Sequence, residues 1–362
     1  MSRKMSKYLS RKIRYITVFA MVGVVFIHSY NFKDNFLTPT TRISEGFNAA
    51  AMFEYFFSNE LFRFAVPMFF VISGFLFFFT YENTARCYVN KLLSRAKSLF
   101  VPYVIWAVLA GLLTTTLSQF SFFNDLQVIA ERHYDWTQFY MYLIDPSAFQ
   151  LWFIQQLMLF VVLSPVIYLL IKHTRGFILI LFAVLWLIDF NFIINFSALF
   201  TFSIGAAMAI FGKSREYTRT ENRMQTAIYV VIWVMLSLLN TFIAAFADDS
   251  FIFSIVMLVL YKLNEAVGVI ATWFLFDHIA KRITDKKGFI IAATHIFIVY
   301  VMHEPLLHIF YQVALKQSDN IMSHIALYIC LPLSVGAVCI IVSMALRKNL
   351  RKVHGVLTGG RQ

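Results

Sequence analysis

Charge is what this sequence has least of: only 14% of its 362 residues are Asp, Glu, Lys or Arg, roughly half the share of a soluble domain. Seven prolines and 13 glycines exclude a collagen-like or low-complexity chain, and three cysteines exclude a disulfide scaffold. Cys87, Cys330 and Cys339 have no metal-ligand spacing and read as packing residues, so no metal is expected. What fills the chain instead is apolar. Hydrophobic residues make up 60%, aromatics 18%, with 41 Phe, and the mean hydropathy is +0.70. No soluble packing hides that much apolar surface, which places the chain in a lipid bilayer. The net charge of +12 would suggest nucleic acid only if the basic residues shared one solvated face. They are spread between apolar runs, and no nucleic-acid partner is expected.

Runs long enough to cross a ~30 Å hydrocarbon core fall at 15–31, 61–81, 99–117, 151–171, 176–188, 193–212, 225–246, 251–277, 289–312 and 324–346. The expectation is an all-α polytopic membrane protein of about ten transmembrane helices. No internal repeat, heptad or Gly/Ser-rich linker divides residues 1–362, so one integral-membrane domain is expected. The first run follows a basic N-terminus, as a signal peptide would, but His28-Ser29-Tyr30-Asn31 offers no small-residue cleavage site. Basic loops stay cytoplasmic. Most of the 31 Lys and Arg cluster at 3–14, 86–97, 172–175, 213–223, 281–287 and 347–361, at every second connection. Both termini are therefore expected in the cytoplasm. The connections 32–60 and 118–150 would be outer lids carrying Asp34, Glu45, Glu54, Asp125, Glu131, Asp135 and Asp145 among aromatics.

Ionisable groups inside spans are costly and mark either function or structural pairing. His28 lies 14 residues beyond Arg14, roughly 21 Å deep. His303, in Val301-Met302-His303-Glu304-Pro305, lies 16 residues beyond Lys287, roughly 24 Å from the same side. Each alone fits a hydrogen-bonded core histidine; the matching depth favours a functional pair. Arg63 opens the second span, as a fixed cation or a snorkelling anchor. Ser73-Gly74, mid-helix, admits close approach of a neighbouring helix or of a slender ligand. Lys262 and Glu265 stand three apart and can pair on one helix face. Gln150 and Trp152 put an amide and an indole at an outer helix mouth, where an aromatic belt also accounts for the indole.

Taken together, these residues resemble the integral-membrane acyltransferase family 3, bacterial enzymes that O-acylate cell-surface or exported glycans. The resemblance rests on Val24-Val25-Phe26-Ile27-His28, on Val66-Pro67-Met68-Phe69-Phe70-Val71-Ile72-Ser73-Gly74-Phe75-Leu76, and on the basic stretch ending Val101-Pro102-Tyr103. It rests also on Leu151-Trp152-Phe153 and Tyr300-Val301-Met302-His303. Three positions depart from the family's pattern. Thr17 stands where an Arg is common, Ser98 replaces the second Arg of an Arg-x-x-Arg begun at Arg95, and Gln150 stands where His is frequent.

The resemblance implies transfer of an acyl group, acetyl above all, from cytoplasmic acyl-CoA to a hydroxyl of a glycan or lipid-linked glycan, at the inner membrane. Acyl-CoA is then a donor substrate and no permanently bound cofactor is implied. Lys91, Arg95 and Lys97, beside Tyr103, match its phosphates. Its pantetheine arm would enter near Ser73 and Gly74. An imidazole at the depth of His28 can take the hydroxyl proton or the acyl group itself. His303 can orient the acceptor or polarise the carbonyl, with Glu304 fixing its tautomer or binding sugar. Arg63 suits an oxyanion or an anionic glycan, and Gln150 and Trp152 would hold the acceptor. A multi-spanning transporter or flippase of glycan or lipid is the competing class. It would show two related halves, and the first five spans show no match to the last five. No oligomeric state is implied.

Overall fold

The computed structural model describes residues 5–29, 48–120, 136–212, 222–246, 250–282, 287–315 and 321–361. The acids Asp34, Glu45, Asp125, Glu131 and Asp135, and the bases Arg3, Lys4, Lys213, Arg215, Arg219 and Lys286, lie outside the described residues. Every regular element among the described residues is helical, apart from one isolated bridge between Asn191 and Asn195. In chain order the α-helices are α1 (Lys7–His28), α2 (Ala49–Tyr55), α3 (Ala65–Phe79), α4 (Ala85–Arg95), α5 (Val101–Leu117), α6 (Trp152–Val162) and α7 (Ser164–His173). Then come α8 (Ile178–Leu187), α9 (Phe196–Phe211), α10 (Arg223–Ala244), α11 (Phe251–Arg282), α12 (Lys287–Leu315), α13 (Ile321–Asn349) and α14 (Arg351–Leu357). Two π-helical stretches, Phe56–Leu61 and Ala96–Phe100, join α2 toward α3 and α4 to α5.

Among the described residues, six helical stretches are long and apolar enough to cross a membrane: Ala49–Phe79, Ala85–Leu117, Arg223–Ala244, Phe251–Ala280, Lys287–Tyr311 and Ile321–Asn349. They become seven if Phe149–Val162 and Ser164–His173 form one broken span. The break falls before Pro165, whose missing N–H cannot continue the ladder. α8 and α9 are apolar but shorter, and α1 carries Arg11, Lys12 and Arg14 within it. Two boundaries are corrected. Residues 49–60 are helical rather than part of an outer lid, and Glu54 there is fully buried. The helix expected from 99 begins at Ala85.

α10 shows why these helices belong in lipid. Its exposed positions Ile228, Val231, Met235, Leu238 and Phe242 recur every three or four residues, while Thr226, Trp233, Ser237, Asn240 and Ala244 are buried. The apolar stripe faces outward and the polar residues inward, the reverse of a water-soluble helix.

The chain divides into two compact units, each discontinuous in sequence. Unit 1 comprises residues 1–83, 164–293 and 320–328. Its centre is the crossing of α3 and α9. A Cβ at Gly74 would lie 2.0 Å from the Phe202 carbonyl oxygen, and one at Gly205 would lie 1.9 Å from that of Val71. Only glycine lets the two backbones meet so closely. α1 is tied to α11 by Lys12, whose Nζ lies 2.6 Å from Asp277 Oδ1 with both side chains buried. The Tyr8 hydroxyl donates to the same oxygen, and the Lys12 ammonium sits 4.1 Å from the Trp273 ring centroid. Lys12 is therefore a buried structural cation, in addition to any part in topology.

Unit 2 comprises residues 84–163, 294–319 and 329–362. Here the Tyr103 hydroxyl on α5 donates to the Leu143 carbonyl at 2.7 Å and accepts from Gln155 Nε2 at 2.7 Å. Gln155 also reaches the Ile144 carbonyl at 2.8 Å. These bonds pin the 3₁₀ segment Trp136–Leu143 to α5 and α6. Its Tyr142 ring covers Gly111, where a Cβ would lie 2.5 Å from the ring.

Candidate functional site

Unit 1 holds an unexpected polar nest. The π-helix Phe56–Leu61 has a wider turn than an α-helix, and it keeps three consecutive polar residues, Ser58, Asn59 and Glu60, all buried. Glu60 Oε2 accepts from Asn240 Nδ2 at 2.9 Å and from Asn264 Nδ2 at 2.7 Å. Asn264 also reaches the Glu60 backbone carbonyl at 3.1 Å and accepts from the Ser237 hydroxyl at 3.2 Å. Arg63 follows in the break before α3. Its guanidinium lies 3.5 Å from Asn59 Oδ1, 5.4 Å from the Tyr261 ring centroid and within electrostatic reach of Glu60 and Glu265. Two amides and the Arg63 cation thus converge on one buried carboxyl group, partners that such a group needs in a bilayer.

Arg63 is therefore an inward member of this nest. Lys262 and Glu265 lie within electrostatic reach of each other, but no direct salt bridge joins them among the described residues. Lys262 Nζ bonds Asp189 Oδ1 at 2.8 Å, in the turn after α8, and Glu265 accepts from the Ser197 hydroxyl at 3.4 Å. A long lysine reaches a half-exposed carboxylate more easily than one held in a buried hydroxyl-lined spot. His28 is the last residue of α1 and is half-buried. Ser73 is half-buried beside Gly74, but Gly74 is filled by the α9 backbone. Gly74 is thus a helix-packing position.

In unit 2, His303 on α12 is fully buried. Its Nδ1 lies 2.9 Å from the carbonyls of Val299 and Tyr300, which have no proton to give, so Nδ1 donates and Nε2 carries the basic lone pair. The tautomer is set by the helix itself and not by Glu304. Glu304 Oε1 instead lies 3.2 Å from His308 Nδ1. Pro305 has no N–H for the carbonyl four residues before it. That carbonyl, of Val301, accepts from Gln150 Nε2 at 3.0 Å, while the Gln150 carbonyl accepts from the Tyr300 hydroxyl at 2.6 Å. Gln150 is buried, and its amide nitrogen mends α12 at the Val301 carbonyl. Trp152 is half-buried at the start of α6.

The basic stretch also lies in unit 2. Lys91 and Arg95 are half-buried on α4, one turn apart and within electrostatic reach of each other, and Lys97 is exposed. The Tyr103 hydroxyl is used up by Leu143 and Gln155, so it supplies no free donor to a ligand. The polar nest around Glu60 escaped sequence reading because Ser58-Asn59-Glu60 looks like loop. The signal present was Asn240 and Asn264, two amides inside apolar runs.

The family model described as an acyltransferase domain, Acyl_transf_3, matches residues 11–347. The chain belongs to this family, acyltransferase family 3, and is a multi-pass membrane acyltransferase. No curated protein and no solved structure matches it.

Proposed function

We propose that the protein transfers an acyl group, acetyl above all, from cytoplasmic acyl-CoA to a hydroxyl of a cell-surface or exported glycan. Membership of the acyltransferase family carries this reading. In the proposed reaction an imidazole removes the acceptor hydroxyl proton as the oxygen attacks the thioester carbonyl. The C–S bond breaks, and the proton passes to the leaving thiolate. His28 and His303 are the two candidate bases, and the Nδ1–H tautomer of His303 leaves Nε2 ready for that proton. Direct transfer and an acyl-histidine intermediate both balance. Lys91, Arg95 and Lys97 would hold the donor phosphates, and Arg63 would serve an anionic group. The proposed topology has ten crossings with both termini in the cytoplasm, at the inner membrane.

The test is acetyl transfer from radiolabelled acetyl-CoA to a glycan acceptor in membranes. His28→Ala is expected to abolish transfer at normal expression and insertion, and His303→Ala to reduce it severely. More than a few per cent of activity in His28→Ala would make His28 structural. Accumulation of unmodified solute in vesicles, without acyl turnover, would favour a transporter.

A further inference from the structure

We propose that Arg361, on the C-terminal turn, completes with Lys91 and Arg95 a phosphate-binding site for the polyanionic end of a coenzyme A thioester. The inference rests on the donor reading above and adds a residue remote in sequence. It begins with the chain's last turn. α14 ends at Leu357, whose carbonyl accepts from Trp106 Nε1 on α5 at 3.0 Å. The chain then reverses through Gly359 (φ +61°) and Gly360 (φ +76°), left-handed conformations that favour glycine. A Cβ at Gly359 would lie 2.6 Å from the Ser98 carbonyl oxygen, so the turn meets the π-helical stretch Ala96–Phe100 backbone to backbone.

That docking delivers a guanidinium to the basic stretch. Arg361 Nη1 donates to the Ser98 carbonyl at 2.8 Å and to the Thr358 carbonyl at 2.9 Å, and its Cζ lies 4.3 Å from the Phe297 ring centroid. Both bonds use Nη1. Among the described residues, Nε and Nη2 have no hydrogen-bond partner, so one edge of the fork remains for a ligand. Among the described residues, the ionisable neighbours acting on Arg361 are Arg95 and Tyr300. Burial first, and Arg95 second, push the Arg361 pKa down to about 10, which leaves it charged at neutral pH.

The half-buried Arg361 guanidinium thus stands beside Arg95, with Lys91 one turn along α4, so three cations gather where a phosphate can reach them. The fork geometry of arginine matches phosphate. Two sources offer that chemistry, the phosphates of coenzyme A and those of anionic lipid. The proposal commits to the first.

The experiment measures coenzyme A binding to the purified full chain in nanodiscs of neutral or anionic phospholipid, with thermal unfolding as the fold control. Arg361→Gln is expected to weaken binding roughly ten- to hundredfold in both lipids, the loss of one charge-assisted contact, and to flatten the salt dependence. Arg361→Lys, which keeps the charge but not the fork, should lose less. A folded Arg361→Gln within twofold of wild type, while Arg95→Gln binds weakly, overturns the inference and leaves the donor reading standing. If Arg95→Gln also binds normally, the donor reading itself fails. A defect seen only in anionic lipid assigns the site to lipid phosphate and overturns the proposal. Should Arg361→Gln not fold, Arg361→Lys decides: an affinity for coenzyme A equal to wild type would sink it.

Discussion

Asn264 grips Glu60 twice, its Nδ2 lying 2.7 Å from the carboxylate oxygen Oε2 and 3.1 Å from the backbone carbonyl of the same residue. One amide thereby holds both the carboxyl group and the winding of the π-helix. The carboxylate is tolerable in a bilayer only because such donors surround it.

Replacing that amide should show its worth. Asn264→Leu leaves the Glu60 carboxylate buried with a donor removed, and hydrogen bonds to charged groups contribute about 1.5–3 kcal/mol each. A loss of stability in that range or above is expected from unfolding in detergent. Asn264→Leu with Glu60→Leu should recover much of it, because the orphaned charge is gone. An unrecovered double variant would show that the nest acts through packing alone.

Gly74→Ala should be among the most damaging single methyl additions in unit 1. The new carbon would meet the Phe202 carbonyl at 2.0 Å, and backbone cannot step aside as a side chain can. Overpacking of this kind costs about 3 kcal/mol or more. Gly336→Ala, where a Cβ meets nothing within 4 Å, is the matched control and should leave the melting temperature unchanged.

Lys12→Met leaves Asp277 buried without its cation, and breaking a buried pair from one side costs about 3–5 kcal/mol. Lys12→Met with Asp277→Leu should restore most of that loss. A Lys12→Met protein as stable as wild type would mean the pair is solvated. Labelling of cysteines introduced at exposed Lys97 and at Asn191 from opposite sides of the membrane is a separate check on topology.

The C-terminal helix should loosen in acid. His354 Nε2 lies 3.0 Å from Ser343 Oγ, which lies 2.7 Å from His295 Nδ1. Burial first, and Arg347 second, hold the His354 imidazole below its ordinary value. A free imidazole titrates near about 6.5. Below that pH the undocked form binds the proton more readily, so docking weakens as the pH falls and is fully present above it. Hydrogen exchange over residues 351–357 should quicken between about pH 7.5 and 5.5 in wild type. In His354→Gln it should not change with pH beyond the intrinsic rate; equal pH dependence in both would rule out His354 as the sensor.

The sequence by itself determined the class of molecule. Apolar runs at helical length, interrupted by basic connections, leave a chain no option but helices in lipid, because only they satisfy the backbone there. His28, Arg63 and His303 stood out for the same reason, since charge is conspicuous where it is costly. Tertiary structure alone decided what each polar group is for. Gly74 packs against a backbone 128 residues away at Phe202, Gln150 mends the gap that Pro305 leaves at Val301, and Lys262 chooses Asp189 over its own helix neighbour Glu265. The Glu60 nest draws its amides from α10 and α11, and Arg361 reaches Ser98 from the far end of the chain. Such partners follow from which helices pack together, and helical periodicity fixes a residue's face without naming the helix that face will meet.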